Sequence, residues 1–170
     1  MYNKDNQTRN SLIEHKGTLI LYSNTCEYAI RALTYLAERP PEERTMLSEI
    51  ATAQDLPRAF LGKILKDLVR AGMLTSARGP TGGYSLACEP EDICILAIKE
   101  VIEGSGDLER CAVGLNPCSD DTPCPLHDTY KPLRTAIRAY LQDTTLASLV
   151  AGLSQKRALL GDSGEQKGMA

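Results

Sequence analysis

Residues 56–87 read LPRAFLGKILKDLVRAGMLTSARGPTGGYSLA, and this stretch decides the fold. In its first half, apolar residues recur at the spacing of one helix face, which predicts a helix over Pro57–Ala71 that ends at Gly72. In its second half, residues 73–78 and 83–87 resemble two short strands around a Gly-Pro-Thr-Gly turn, which predicts a β-hairpin. The predicted apolar face of the helix comprises Phe60, Leu61, Ile64, Leu65, Leu68 and Val69.

Two helices are predicted before this stretch and three after it. Those before it are Ser23–Glu38 and Leu47–Ala53, and those after it are Ile93–Glu103, Tyr130–Gln142 and Leu146–Leu153. Three helices followed by a hairpin are typical of a winged helix-turn-helix, so the predicted fold class is mainly α with a small β-hairpin. The predicted division is a disordered extension (1–18), a winged helix-turn-helix (19–104), a cysteine-rich loop (105–128), two helices (129–153) and a disordered tail (154–170).

The charge of the chain is unevenly distributed. The net charge is −3, yet residues 57–87 contain five basic side chains and one acidic side chain. A local basic surface favours contact with the phosphates of double-stranded DNA, although any single lysine could belong to an ordinary solvated face. Gly82 and Gly83 would permit a tight turn and a close approach to DNA, and Arg78 could reach a minor groove. The basic residues are Arg58, Lys63, Lys66, Arg70 and Arg78.

Composition and motifs exclude several other classes. Apolar residues make up 42% of the chain, yet they form no run long enough to span a membrane, and no export signal is recognised near the N-terminus. We therefore expect a cytoplasmic protein with no membrane partner. An enzyme is not expected, because the sequence offers no nucleophile–base pairing and no phosphate-binding loop before a helix.

The segment CAVGLNPCSDDTPCPLH, residues 111–127, is the second informative stretch. Cys111, Cys118, Cys124 and His127 supply thiolate and imidazole, which are the ligands of zinc and of iron–sulfur clusters. Taken singly, each cysteine could be an ordinary buried thiol and His127 an ordinary surface histidine. Packing does not explain why three cysteines and a histidine occur together in one segment. Cys26 and Glu27 are candidates for a further ligand from a partner chain, and Cys88 and Cys94 for rival ligands.

Three stretches resemble the Rrf-two family of bacterial winged-helix transcription regulators. They are YAIRALTYLA (28–37), residues 56–87 quoted above, and CSDDTPCPLHDTYKPLR (118–134). The resemblance implies a homodimer that binds a partly palindromic operator, with the helix at Tyr130–Gln142 as the dimerisation helix.

The resemblance also implies roles for individual residues. It places Arg58 and its neighbours Lys63 and Lys66 in the major groove. It places Arg78 in the minor groove and the wing glycines, Gly82 and Gly83, against the DNA backbone. The three cysteines Cys111, Cys118 and Cys124 fall where cluster-binding members have thiolates. His127 matches a ligand of the IscR-like members, which implies a 2Fe–2S cluster in preference to 4Fe–4S, and Glu27 matches a carboxylate that NsrR-like members offer from the other subunit.

Three functional hypotheses follow from these features. The first is a transcriptional regulator, acting as a repressor, whose operator binding depends on an iron–sulfur cluster that senses redox state, nitric oxide or iron–sulfur status. The second keeps the DNA-binding module but replaces the cluster by a thiol switch at Cys118 or Cys124. The third is a small iron–sulfur electron carrier or scaffold, which the basic surface disfavours.

Overall fold

The computed structural model of the protein describes residues 21–41, 43–79, 81–115 and 119–160. Within these residues the chain forms six α-helices and one antiparallel pair of strands, which is the mainly α architecture that the sequence predicts. The elements are α1 (Asn24–Ala37), α2 (Leu47–Ala53), α3 (Arg58–Arg70), β1 (Leu74–Ala77), β2 (Gly83–Leu86), α4 (Ile95–Glu103), α5 (His127–Asp143) and α6 (Leu146–Leu159).

Helix α1 forms the centre of the core. Its N-cap is Ser23, whose side chain accepts a hydrogen bond from the backbone N–H of Cys26 at 3.3 Å. This bond satisfies one of the donors that a helix start leaves without a partner. The buried side of α1 carries Cys26, Ala29 and Leu33, each 0% exposed, and it packs against α3, α4 and α6. Helix α1 therefore contacts both the helix-turn-helix and the C-terminal half of the chain.

Helices α2 and α3 are joined by a short turn. Asp55 in this turn has a φ of +48°, a left-handed conformation that aspartate tolerates better than most residues. The backbone N–H of Leu56 then donates to the carbonyl of Ala51 at 2.9 Å, and the buried Leu56 side chain anchors the turn in the core. The guanidinium of Arg31 on α1 donates to the carbonyl of Gln54, so the turn is fixed to α1 as well.

Strands β1 and β2 form the predicted hairpin, with Leu74 opposite Leu86 and Ala77 opposite Gly83. A third segment joins them, which the sequence analysis missed. Thr45 pairs with Tyr84 in a single antiparallel bridge, with both N–H to carbonyl distances at 2.9 Å. The wing is therefore connected to the residue that lies two positions before α2.

The C-terminal helices are attached through the segment before α4. Backbone hydrogen bonds of 2.9 Å join the N–H of Ile95 to the carbonyl of Thr144, and the N–H of Leu146 to the carbonyl of Ile93. The buried side chains of Leu141 on α5 and Leu146 on α6 complete the core. These contacts fix the end of α5 and the start of α6 against α4.

Three details differ from the sequence prediction. Phe60 is 44% exposed, because it lies at the edge of the apolar face of α3, where it packs edge-on against Tyr28. Helix α5 begins at His127, three residues before the predicted start at Tyr130. Helix α6 continues to Leu159, where the sequence predicts a disordered tail from residue 154. Good helix formers extend it, and Arg157 pairs at 2.9 Å with Glu38, the C-cap residue of α1.

Some predictions fall outside the described residues. The predicted N-terminal extension (1–18) and the tail beyond residue 160 lie there, as does Cys118. Within the described part of the chain, no helix is long and apolar enough to cross a membrane.

Candidate functional site

The outward face of α3 is basic. Leu61, Ile64, Leu65 and Leu68 are buried on its inner side. At 100° per residue, Lys63, Lys66 and Arg70 fall on the opposite side, and all three are exposed. Arg70 lies 3.2 Å from Asp67, so the one acidic residue of this stretch is engaged by a neighbouring arginine. The helix therefore offers Lys63 and Lys66 to an anionic partner.

Arg58 is the first residue of α3 and is exposed. In a helix-turn-helix, the N-terminal residues of the second helix are those that contact base edges in the major groove. The turn that precedes α3 is held by Leu56 and by the bond from Arg31 to Gln54. Arg58 is thus placed on a fixed helix start, at the end of α3 that the fold uses for base contacts.

Arg78 follows directly after β1 and is exposed at the tip of the wing. Gly79, the next residue, has a φ of +105° and no atom within 4 Å of the position that a Cβ would occupy. The tip therefore requires the left-handed backbone that glycine provides. This arrangement presents the Arg78 cation at the end of the hairpin that follows α3.

Gly82 and Gly83 have an internal structural role in the wing. Both residues are buried. A Cβ on Gly82 would lie 2.4 Å from the carbonyl oxygen of Ala77, and one on Gly83 would lie 2.6 Å from that of Thr45. Their lack of a side chain allows the hairpin to close and the Thr45 segment to pair with it. Their contact with the DNA backbone stays a prediction.

The cysteine segment, defined here as residues 105–126 between Gly104 and α5, packs against the start of α5. Cys111 is buried at 8% exposure and Cys124 is half-buried. The backbone N–H of His127 donates to the carbonyl of Cys124 at 2.9 Å, which closes the turn that leads into α5. His127 itself is buried at 7% exposure. Two thiols and an imidazole withdrawn from solvent are donors suited to zinc or iron.

Asp120 connects this segment to α5. Its Oδ1 lies 2.8 Å from Nε2 of His127 and 2.6 Å from Nζ of Lys131. Hydrogen bonds from Lys131 and His127 lower the pKa of the Asp120 carboxyl below its usual range. Metal-bound histidines generally pair their second ring nitrogen with such a carboxylate.

A second contact fixes the beginning of the cysteine segment. The carboxylate of Glu109, two residues before Cys111, lies 2.5 Å from Nη2 of Arg138 on α5. The segment is therefore joined to α5 before Cys111, through Glu109, and again at Asp120, which precedes Cys124. Among the described residues, no three cysteine, histidine or acidic side chains converge as a metal site. Because Cys118 lies outside those residues, the predicted set of four ligands stays a prediction.

Glu27 lies in the first turn of α1, and its side chain is 45% exposed. Its carboxylate is 3.8 Å from the guanidinium of Arg31, one turn further along the same helix. This weak pairing leaves the carboxylate at the surface, where a second protomer could approach it.

Sequence reasoning missed three groups around these sites. Thr45 gave no strand signal, because a single paired residue has no periodicity. Asp120 was not singled out in the sequence, although its spacing from His127 and Lys131 could have suggested a contact across the helix start. Lys99 is 2% exposed on α4, within a run that reads as an ordinary amphipathic helix.

Comparison with known proteins supplies an independent line of argument. Residues 22–152 match a family described as "Rrf2: Iron-dependent Transcriptional regulator". An HTH-type transcriptional regulator of Aquifex aeolicus is 35% identical over 133 residues, which cover 77% of this chain and 92% of the relative. The HTH-type transcriptional regulator IscR of Vibrio atlanticus is 30% identical over 123 residues, covering 72% of this chain and 70% of the relative.

Solved structures agree with this result. CymR, the global cysteine regulator of B. subtilis, superposes with a TM-score of 0.66 at 28% identity, covering 76% of this chain and 95% of that chain. IscR of T. potens superposes with a TM-score of 0.61 at 28% identity, covering 87% and 92%. An oxidised form of Staphylococcus aureus CymR gives a TM-score of 0.59 at 26% identity, covering 75% and 94%.

Proposed function

Because the chain belongs to the Rrf2 family of winged helix-turn-helix transcriptional regulators, we propose that it binds an operator as a homodimer and that an iron–sulfur cluster controls this binding. The proposed cluster ligands are Cys111, Cys118, Cys124 and His127. The observation that carries the proposal is the attachment of the cysteine segment to α5, at Glu109 on one side and at Asp120 and His127 on the other.

The DNA-binding half rests on the basic face of α3 and the wing. Lys63 and Lys66 contact phosphates and base edges from the major groove, with Arg58 at the helix start. Arg78 reaches the adjacent minor groove from the tip of the wing. Gly82 and Gly83 bring the hairpin backbone close to the DNA while they hold the hairpin closed. The net charge of −3 on the whole chain limits non-specific binding elsewhere on the surface.

The homodimer is supported by an apolar face on α5. Leu133 and Tyr140 are 55% and 58% exposed, and they lie seven residues apart, which is two helical turns on one side of the helix. Leu141 lies about a quarter of a turn away around the helix and is buried in the core of the same chain. Burial of Leu133 and Tyr140 against the same helix of a second copy removes this exposed apolar area from water.

Three thiolates and one imidazole are donors suited to an iron–sulfur cluster, and we propose 2Fe–2S in preference to 4Fe–4S because His127 matches a ligand of the IscR-like members. When bound, such a cluster supplies a centre that reacts with oxidants or nitric oxide and that is absent from the protein when clusters are scarce. His127 presents its imidazole from the first residue of α5, and Asp120 orients that ring through the 2.8 Å contact. The partner subunit's Glu27 is the proposed ligand if His127 is not used.

Control of DNA binding follows from the position of His127. Because His127 belongs to α5, its engagement or release acts directly on the helix proposed to join the two protomers. Lys131 and Arg138 carry the same change further along α5, since they are bonded to Asp120 and Glu109 in the segment. A change in the angle between the protomers alters the distance between the two α3 helices, and so the fit to the two operator half-sites.

The test is the affinity for DNA with and without iron. The probe is a duplex enriched from a random-sequence library by the wild-type protein, and its Kd is measured anaerobically on iron-loaded and chelator-treated protein. We expect the two Kd values to differ for the wild type and for Cys88→Ala, whose exposed thiol lies outside the segment. We expect them to coincide for Cys124→Ala. A Cys124→Ala protein that still distinguishes the two conditions would refute the proposed ligand set.

A thiol switch without metal is the second candidate, favoured by the similarity to a CymR crystallised in an oxidised form. In this mechanism, Cys118 or Cys124 forms a disulfide with a second thiol. Two electrons and both thiol protons pass to a peroxide, which leaves as two water molecules. Iron-free protein whose Kd for the duplex responds to peroxide and is restored by dithiothreitol would favour this mechanism over the cluster.

A further inference from the structure

A charged pair lies where α1 and α4 meet, with Lys99 buried and the Glu103 side chain half-buried at 16% exposure. Lys99 is 2% exposed, and its ammonium group donates to the carboxylate of Glu103 one turn further along α4. The other oxygen of Glu103 accepts the backbone N–H of Ser23, the N-cap of α1, at 2.5 Å. Although burial alone would raise the pKa of Glu103, the hydrogen bonds from Lys99 and Ser23 lower it. Glu103 is therefore charged and joins two helices.

This pair lies at the beginning of the cysteine segment. Glu103 is the last residue of α4, and Gly104 follows it with a φ of +90°, where the chain turns away from the helix. Only Gly104 separates Glu103 from the start of the cysteine segment, so no other side chain lies between them along the chain. Displacement of the backbone at Gly104 acts directly on Glu103, and through it on Ser23.

From Ser23, a chain of contacts leads to the DNA-binding helices. Tyr28 lies on α1, just past the turn that Ser23 caps. Its ring meets that of Phe60 on α3 edge to face, with 6.1 Å between centroids and 87° between planes. Arg31, one turn later, donates to the carbonyl of Gln54 in the turn before α3. Both contacts link α1 to α3, the first directly through Phe60 and the second through the turn that precedes α3.

We infer that the Lys99–Glu103 pair is a positioning element that transmits the state of the cysteine segment to α3 through the start of α1. The inference rests on the proposed function only in that the segment must change state. A surface ion pair would serve poorly here, because water and salt weaken it. Here the Lys99 ammonium is withdrawn from water, and the half-buried Glu103 carboxylate is held by Lys99 and by the Ser23 N–H, so the three groups move together or their contacts break.

The test replaces the pair by apolar side chains of similar size, as Lys99→Met/Glu103→Leu. Replacing both partners avoids leaving one buried charge, so the double variant is expected to fold. The control is Arg39→Gln/Glu43→Gln, which removes a pair with the same sequence spacing at the surface. Kd for the enriched duplex is measured in the two states of the segment: cluster-loaded and cluster-free or, if the wild type binds no iron, peroxide-treated and reduced.

We expect the ratio of the two Kd values to fall to near unity in the double variant and to stay at the wild-type value in the control. Amide hydrogen exchange at Ser23, measured without any metal, is expected to accelerate in the double variant alone. A folded double variant that keeps the wild-type ratio would overturn the inference. If iron-free wild type changes its Kd with peroxide, the cluster is refuted, and the inference is then tested by comparing the peroxide-treated and reduced Kd values of wild type and double variant. If the Kd of the wild type responds neither to iron nor to peroxide, the proposed function and this inference are both overturned.

Two further measurements apply if the double variant does not fold. Glu103→Gln keeps an acceptor for Ser23 but removes the charge that holds Lys99, so the ratio is expected to lie between wild type and unity. In the unaltered protein, exchange at Ser23 is expected to differ between the two states of the segment. Equal exchange in both states would overturn the inference without any substitution.

Discussion

Gly83, the first residue of β2, is the position where one added methyl group should most disturb the wing. A Cβ there would lie 2.6 Å from the carbonyl oxygen of Thr45 and 2.8 Å from its carbonyl carbon. Thr45 cannot retreat without losing its two 2.9 Å hydrogen bonds with Tyr84. The φ of +145° at Gly83 is also unfavourable for any residue with a side chain. Gly83→Ala therefore adds backbone strain and separates Thr45 from the hairpin.

The magnitude follows from these two terms. Backbone strain of this kind costs about 1–3 kcal/mol, and each lost hydrogen bond costs about 0.5–1.5 kcal/mol. We expect Gly83→Ala to lower the free energy of unfolding by about 3 kcal/mol, which corresponds to roughly 6–12 °C in Tm for a chain of this size. The measurement is urea unfolding followed by circular dichroism, with Tm from a thermal scan.

Two glycine variants serve as controls. Gly79→Ala introduces a strained φ of +105° with no atom within 4 Å, so it isolates the strain from the collision with Thr45. Gly62→Ala, inside α3, places a Cβ 3.5 Å from Leu47, an ordinary contact, and is expected to raise stability by about 0.5–1 kcal/mol. If Gly83→Ala cost no more than Gly79→Ala, the claim that Thr45 holds the wing would be refuted.

Three further predictions concern charge. Lys66→Gln is expected to weaken binding to the enriched duplex and to reduce the slope of log Kd against log salt by about one, whereas Lys156→Gln on α6 leaves both unchanged; anisotropy titrations at several salt concentrations check this. Lys99→Met alone is expected to destabilise the fold by about 1–3 kcal/mol, because it removes the ammonium that pairs with the half-buried Glu103 carboxylate, while the double replacement is near neutral in urea unfolding. Burial raises the pKa of the Cys26 thiol from 9.0 to about 12. The neutral Cys26 thiol therefore contributes its full stability to the fold below pH 9. As the pH rises from 9 toward 12, the free energy of unfolding falls by up to about 1 kcal/mol per pH unit, because the thiol ionises more easily in the unfolded chain. The same unfolding measurement on Cys26→Ala should lack this loss.

The parts of the fold that the sequence predicted well are those with periodic apolar residues. Helix α2 was predicted with its observed bounds, and α3 within one residue at each end. The hairpin was predicted from its glycines, which have positive φ at Gly79 and Gly83. In each case the physical cause, burial of one face or a turn that needs glycine, lies within the segment itself.

The missed features depend on contacts between distant segments. Thr45 pairs with Tyr84, which lies 39 positions later in the sequence, and nothing local marks either residue as a partner. Lys99 is a polar residue in an amphipathic helix, and only the approach of α1 makes it a buried charge. Helix α6 extends beyond its prediction, where Arg157 pairs with Glu38, the residue that caps the C-terminus of α1. Such contacts depend on the tertiary arrangement, so a reading of local pattern does not reach them.

The candidate site divides in the same way. Exposure of Lys63 and Lys66 follows from their place opposite the apolar face, that of Arg58 from its position as the first residue of α3, and that of Arg78 from the wing tip. The contact of His127 with Asp120 required the structure, because it depends on where α5 begins.

Iron and acid-labile sulfide content, with the visible absorbance spectrum, test the central claim most directly. The protein is purified without oxygen and analysed per polypeptide beside Cys111→Ala, Cys118→Ala and Cys124→Ala. The account predicts coloured wild-type protein with equal iron and sulfide, two of each for a 2Fe–2S cluster, and loss of both in the three variants. Wild-type protein that stays colourless and iron-free after anaerobic reconstitution would contradict it.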